Sequence, residues 1–281
     1  MNLEFTTYSQ GFTIKLEDNI KNFQKNDINE LVRKNAKSIA KRLNKDEKRL
    51  IKAIENKDKD TINEYISGLD PFFAEELIFN LSSFDKNNIV LGVTTGLLAK
   101  AHQKGIQKAN PIIVQGLIVT KDNKIVIGLR NKPSFRKNLP DEPTDYKLML
   151  CPAGYATFNN EGNLIKSFYK ELDEELGLKK EDILQIEKIG HNKDIGFTEG
   201  VRITYLVFST LFFEEIITRW KSADHSWEYV ELVGLDFHYK YLIDLLNTKK
   251  YTKYSEKAKG IIQSSLKPPI QHIIENKMTN I

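Results

Sequence analysis

The sequence predicts a mixed α/β fold: a mixed sheet flanked by helices, preceded by a mainly helical N-terminal region. Two observations carry that prediction. Before Pro111, apolar residues recur at helical spacing; after it, short β-rich runs alternate with amphipathic segments in the order β-β-β-α-β-α-β-α. A third bounds it: 281 residues with 40% hydrophobic side chains can bury a substantial core. The expected division is 1–108 as the helical region, 109–250 as the α/β domain, and 251–281 as a basic C-terminal helix and tail packing on the body.

An extended segment is expected around Leu3 to Leu16. Ile28, Leu31, Val32, Ala36, Ile39, Ala40 and Leu43 then keep helical spacing, opened by Asn26 or Asp27 as a cap with Glu30 close behind. Further helices are expected from Asp46 to Asn56 and from Thr61 to Ser67. Asp70 reads as an N-cap with Pro71 at the first helical position, launching "FFAEELIFNL". Basic residues crowd Lys21 to Lys59. From Arg33 to Lys52, where they are densest, no aromatic residues interleave with them as single-strand stacking would require, so the run reads as the solvated side of amphipathic helices rather than an RNA surface.

Past Pro111, "IIVQGLIVTKDNKIVIGLRN" reads as two strands joined in a hairpin, followed by a polar loop from Lys132 to Tyr146. "KLMLCPAG" reads as a short strand, and a helix runs from about Leu164 to Leu176, where Gly177 stops it. "VRITYLVFST" and "WEYVELVGL" read as strands, "EEIITRWKSA" and "YLIDLLN" as helices. In the tail, Pro268 and Pro269 are expected to break a helix, and Ile270, Ile273 and Ile274 to dock what remains on the body.

Composition excludes several classes. Cys151 is the single cysteine, so neither an intramolecular disulfide nor a multi-cysteine zinc site can form. Lys and Arg exceed Asp and Glu by four, 42 against 38, too little to argue for nucleic acid and compatible with an anionic small substrate. With no leader-like start and no membrane-length apolar run, the reading is a cytoplasmic protein without a membrane partner.

The most informative stretch is "KELDEELGL", Lys170 to Leu178. Glu171, Glu174 and Glu175 stand at i, i+3 and i+4 and share one face of the helix, with Phe168, Leu172 and Leu176 opposite and Asp173 pointing away. Like charges so placed repel, and something must compensate. Nearby Lys166, Lys170, Lys179 and Lys180 offer the bland answer, a surface acidic face. A hard divalent cation, held by carboxylates together with substrate phosphates, offers the sharper one.

Context favours the cation. "PAGYATFNNEGNLIKSFYKELDEELGL" resembles the signature of the Nudix hydrolases, whose helix ends Arg-Glu-aliphatic-any-Glu-Glu-any-Gly-aliphatic. Lys170 stands for the arginine, and Glu171 through Leu178 match in register. The resemblance covers about Pro111 to Asn247 and implies a Nudix-type α/β/α sandwich. There are two departures. The stretch from Gly154 to Lys170 is two residues longer than usual for the family, with Glu161 the nearest stand-in for its loop glutamate. Lysine at 170 also lacks arginine's bidentate hold on a carboxylate.

What the resemblance implies is a Mg²⁺-dependent hydrolase, with Mn²⁺ able to substitute, acting on a nucleoside diphosphate linked to another moiety. Glu171, Glu174 and Glu175 would be metal ligands, joined by a backbone carbonyl near Ala153 or Gly154, where glycine lets the backbone approach closely. Water attacks phosphorus, so a base is needed: one of Glu171, Glu174 and Glu175, or a later loop acid, for which Glu228 and Asp224 are the candidates with His225 between them and Glu199 the outsider; Glu228 is taken with the trio as catalytic. Gly154, Lys170 and Arg130 are assigned to substrate binding, Arg130 as a phosphate contact, with pairing to a surface acid as its alternative. Cys151 invites comparison with isopentenyl diphosphate isomerases of the same fold, but its apolar setting reads as a buried small side chain.

"VLGVTTGLLAKAHQKG" followed by "GLIVTKDNKIVIGLRNK" is similar to the layout of a Nudix branch acting on UDP-sugars, which ranks UDP-glucose-like nucleotide sugars first and ADP-ribose second. Tyr155, Phe158, Phe197, Tyr205 and Trp227 are candidates to stack a base. Two other readings stay open: a nucleotide-sugar sensor that does not cleave, and an RNA-decapping enzyme using the basic helices. Nudix proteins often pair, so a homodimer is compatible with the resemblance.

Overall fold

The structure is a computed structural model. It describes residues 4–7, 13–20, 23–84, 88–130, 146–159, 161–193, 200–247, 250–251, 260–262 and 266–277. The N-terminal part contains β1 (Glu4–Thr7), β2 (Thr13–Leu16), α1 (Lys25–Leu43), α2 (Glu47–Glu55), α3 (Lys59–Tyr65), α4 (Pro71–Glu75), β3 (Leu77–Phe84), β4 (Asn88–Thr95) and α5 (Gly96–Gln103).

Local chemistry explains the helix starts. Asp46, Asp58 and Asp70 cap α2, α3 and α4 by accepting backbone N–H groups with their carboxylates, and Pro71 takes the first turn of α4, where no N–H is needed. Helix α1 begins earlier than its apolar spacing suggests. Its cap is Gln24, whose N–H donates to the Asp27 carboxylate at 2.7 Å, so Asp27 serves inside the first turn and Glu30 is not the capping acid.

The larger correction lies just beyond α4. That helix stops at Glu75, and Leu77–Phe84, expected to continue it, is a strand. A short apolar run does not by itself distinguish helix from strand. Here pairing decides. Strand β3 lies antiparallel to β4, and its other edge hydrogen-bonds to residues far along the chain: Phe79 N–H donates to Ala156 O, and Leu81 N–H to Asn110 O. Strands β2, β4 and β3 form a three-stranded sheet within the region read as helical.

The remaining elements are β5 (Ile112–Val119), β6 (Lys124–Arg130), β7 (Tyr146–Leu150), β8 (Ala153–Tyr155), α6 (Leu164–Leu176), β9 (Ile183–Lys193), β10 (Val201–Ser209), α7 (Phe213–Trp220), β11 (Tyr229–Asp236), α8 (Tyr239–Asn247), β12 (Lys250–Tyr251), β13 (Gly260–Ile262) and α9 (Lys267–Lys277). The main sheet runs β1-β9-β10-β5-β6-β7-β13-β12, with β11 beside β6 and β8 beside β5. It is mixed: β5 and β10 are parallel, β5 and β6 antiparallel.

Two features depart from the sequence expectation. Strand β9 has no clear signature in the sequence, because "ILQIEKIGHNK" alternates weakly; it is held between β10 and β1. Pro268 and Pro269 sit in the first turn of α9 and open a helix instead of breaking one, since first-turn N–H groups have no acceptor within the helix and proline loses nothing by lacking one.

Among the described residues, three apolar cores result. One lies between the main sheet, α6 and the small sheet, joining Phe168, Leu172 and Leu176 to Phe79, Leu81, Ile89 and Leu91. The opposite face of the main sheet packs α8 and α9 through Leu242, Leu245, Ile270, Ile273 and Ile274. The third core is made by α1 to α5. Helices thus flank a mixed sheet. Among the described residues no helix is long and apolar enough to cross a membrane.

Candidate active site

Helix α6 is delimited by local chemistry at both ends. The Asn163 side chain accepts the Ile165 N–H, and Gly177, at φ 67°, closes the helix by donating its N–H to Leu172 and Asp173 carbonyls. Phe168, Leu172 and Leu176 are fully buried, which orients the acidic face. Phe168 stacks on Tyr205 at 4.7 Å between ring centroids.

The three glutamates occupy different environments. Glu175 is buried; its Oε2 accepts the Ala153 N–H at 3.0 Å and the Tyr229 hydroxyl at 2.6 Å. Burial, and then the charges of Glu228 and Glu171, hold its carboxyl well above the usual range. Glu171 lies against Gly154, where an added Cβ would fall 2.1–2.2 Å from its carboxyl atoms. Burial first, then Glu174 and Glu228, push the Glu171 carboxyl up to about 8, with Lys170 acting the other way. Glu174 is more open than Glu175, with Lys170 Nζ and His225 Nδ1 each 3.8 Å from its carboxylate. The Glu174 carbonyl also accepts the His225 N–H at 2.7 Å, tying the loop before β11 to the helix.

Strands β6 and β11 bring the other members. Arg130 Nη2 meets Glu228 Oε2 at 2.6 Å, and Arg130 Nη1 lies 3.6 Å from Met149 Sδ. Tyr229 packs over Gly128, where a Cβ would sit 2.4 Å from the ring. The structure therefore links these residues pairwise: Glu171 with Gly154, Glu174 with Lys170, Glu228 with Arg130, and Glu175 with Tyr229. As placed, Arg130 pairs with Glu228, and Lys170 with Glu174 and Glu76.

Other candidates fall elsewhere. Glu161 is exposed and pairs with Lys166 at 2.7 Å, and Asp224 is exposed. Glu199 and Phe197 lie outside the described residues. Tyr155 packs against Phe73, Phe158 against Phe79, and Tyr205 against Phe168, so these rings are committed to packing; Trp227 is 61% exposed beside His225. Cys151 is fully buried, and burial pushes its thiol well up, which suits packing and not nucleophilic attack.

Two members escaped sequence reasoning. Tyr229 adjoins Glu228 in "WEYVEL", and that adjacency is the one signal pointing to it. Glu76 carries no local signal at all, yet it reaches Lys170 and accepts the Thr157 hydroxyl at 2.9 Å.

The donor set suits a hard divalent cation in its chemistry: the acids offer oxygen ligands, and Gly154 leaves the Glu171 carboxyl room against the backbone. Among the described residues no three His, Cys, Asp or Glu side chains are drawn around one point as placed.

No protein-family model and no curated protein matches the chain. Solved structures similar to it include the DR0079 protein of Deinococcus radiodurans, at 12% identity and TM-score 0.42, covering 70% of this chain and 98% of that one. A mutT/nudix family protein from Listeria innocua is 12% identical with TM-score 0.38, covering 62% of this chain and 98% of its own. A NUDIX hydrolase from Nitrosomonas europaea is 17% identical with TM-score 0.30, covering 61% and 90%.

Proposed function

We propose that this protein is a Mg²⁺-dependent pyrophosphohydrolase of the Nudix kind, cleaving the diphosphate of a nucleoside diphosphate linked to another moiety. UDP-glucose-like nucleotide sugars rank first as substrates and ADP-ribose second. One observation carries the reading. On the acidic face of the Nudix-like motif, Glu171 packs against Gly154 and Glu175 meets Ala153 and Tyr229, the neighbour of Glu228.

Glu171 and Glu174, with a carbonyl of Ala153 or Gly154, would hold the cation; Glu175 borders it, one oxygen already engaged by Ala153 and Tyr229. When bound, a divalent cation offsets diphosphate charge and acidifies water. Gly154 leaves room for the Glu171 carboxylate against the backbone. Glu228, paired with Arg130, would take the proton of the attacking water, and Arg130 would turn toward a phosphate oxygen. His225 lies within reach of Glu174 as a second proton acceptor.

The test is phosphate release, coupled to a phosphatase, from UDP-glucose, UDP-galactose, ADP-ribose, other nucleoside diphosphate sugars and capped RNA, with Mg²⁺ and with EDTA. Turnover that requires Mg²⁺ is expected, with Glu174→Gln and Glu175→Gln each lowering it by about 100-fold or more while far-UV circular dichroism is unchanged. Full activity in both variants would remove the metal assignment. Nucleotide-sugar binding without turnover would favour a sensor, and salt-sensitive cap cleavage a decapping enzyme.

A further inference from the structure

The region before Pro111 touches the acidic helix at a defined place. Strand β3 runs alongside the segment between β8 and α6: Phe79 N–H donates to Ala156 O at 2.9 Å, Phe158 N–H to Leu77 O at 2.8 Å, and Ile78 bridges Thr157. That segment follows Gly154 directly. Just ahead of β3 stands Glu76, whose carbonyl is fixed by the Gly96 N–H at 2.8 Å. Gly96 itself has no room for a side chain, since a Cβ would lie 1.9 Å from Phe73 O. The Glu76 carboxylate is thereby aimed out of the N-terminal region. Its Oε1 accepts the Thr157 hydroxyl at 2.9 Å and lies 3.9 Å from Lys170 Nζ.

Lys170 has two claims on it. Its ammonium is 3.8 Å from Glu174 on one side and 3.9 Å from Glu76 on the other. A cation settled on Glu174 would take the place that a divalent ion needs. A second acid beyond the reacting cluster shares that charge.

We propose that Glu76 is a positioning residue through which the N-terminal region completes the active site: it holds Lys170 by charge and keeps it from neutralising Glu171 and Glu174. The inference rests on the reading of those glutamates as cation ligands. It predicts that Glu76 matters only while Lys170 is present. Glu76 also adds negative charge near Glu171 directly, and a double-variant comparison separates that effect from action through Lys170.

The experiment follows the melting temperature of the full chain against Mg²⁺ concentration for wild type, Glu76→Gln, Lys170→Gln and the double variant, alongside KM and kcat. Wild type is expected to be stabilised by Mg²⁺. Glu76→Gln should raise the Mg²⁺ midpoint roughly threefold to fivefold, as loss of one partly exposed charge pair allows, with the metal-free melting temperature unchanged. In the Lys170→Gln background the same change should leave the midpoint where it is. An equal shift in both backgrounds, or none with Lys170 present, overturns the role of Glu76 while leaving the cation site standing. No response of wild type to Mg²⁺ removes both readings. Should Glu76→Gln fail to fold, Thr157→Val, which releases the Glu76 hydrogen bond, serves in the same cycle.

Discussion

Gly154 matters for space. A methyl group there would sit 2.1–2.2 Å from the Glu171 carboxyl, so Gly154→Ala must push either that side chain or the β8 backbone aside. The expected result is a protein destabilised by about 1–3 kcal/mol, measured by urea unfolding, with Mg²⁺-dependent turnover reduced at least tenfold. Unchanged turnover would show that Glu171 is free to move. The Glu171, Glu174 and Glu175 trio was legible in the sequence because spacing on a helix dictates which side chains share a face. What spacing could not reveal is that they are unequal. Glu175 is buried under the Tyr229 hydroxyl while Glu174 stays more open, a difference set by a strand more than fifty positions away.

The elements that sequence reading captured best are those with chemical punctuation. Helix α6 spans Leu164–Leu176 and stops at Gly177 as expected, because a left-handed glycine is a local device, and the structure adds Asn163 as an amide cap. Gly177→Ala should cost about 1–2 kcal/mol, since φ 67° is unfavourable for a residue with a Cβ, and the methyl would also press within 2.9 Å of Arg219 O. Thermal unfolding should show this as a melting point lower by a few degrees. The elements that were missed lack such marks. Strands β3 and β9 are weakly patterned runs whose conformation is imposed by their neighbours, and the prolines of α9 read equally well as a stop or a start.

At the scale of the molecule, the region before Pro111 shares structure with the rest. Phe79, Leu81, Ile89 and Leu91 lie in the same apolar core as Phe168 and Leu172, and β1 closes one edge of the main sheet. A chain truncated to residues 109–281 is therefore expected to lose a cooperative thermal transition; a sharp transition near that of the full chain would make the two parts independent. Tyr155 lies at the same seam, its ring 5.6 Å from Phe73 of α4. Burial pushes its hydroxyl up to about 12, from an ordinary value near 10. The folded state then holds the proton longer than the unfolded state, so stability present below about pH 10 is lost as pH rises toward 12. Melting temperatures followed from pH 8 to 12 should fall more steeply for wild type than for Tyr155→Phe. Parallel curves would remove Tyr155 from the alkaline response.

The sequence by itself determined the mixed α/β class, the hairpin of β5 and β6, the limits of α6, and the identity and shared face of its acids. Each depends on residues within a turn or two of one another, where covalent connection has already brought the partners close. Only the tertiary structure decided that Leu77–Phe84 is a strand, that Glu228 and Tyr229 meet Glu175 and Arg130, and that Glu76 stands across from Lys170. Those pairings join segments far apart in the chain, and their stability comes from burial and hydrogen bonds that exist only once the sheets have assembled.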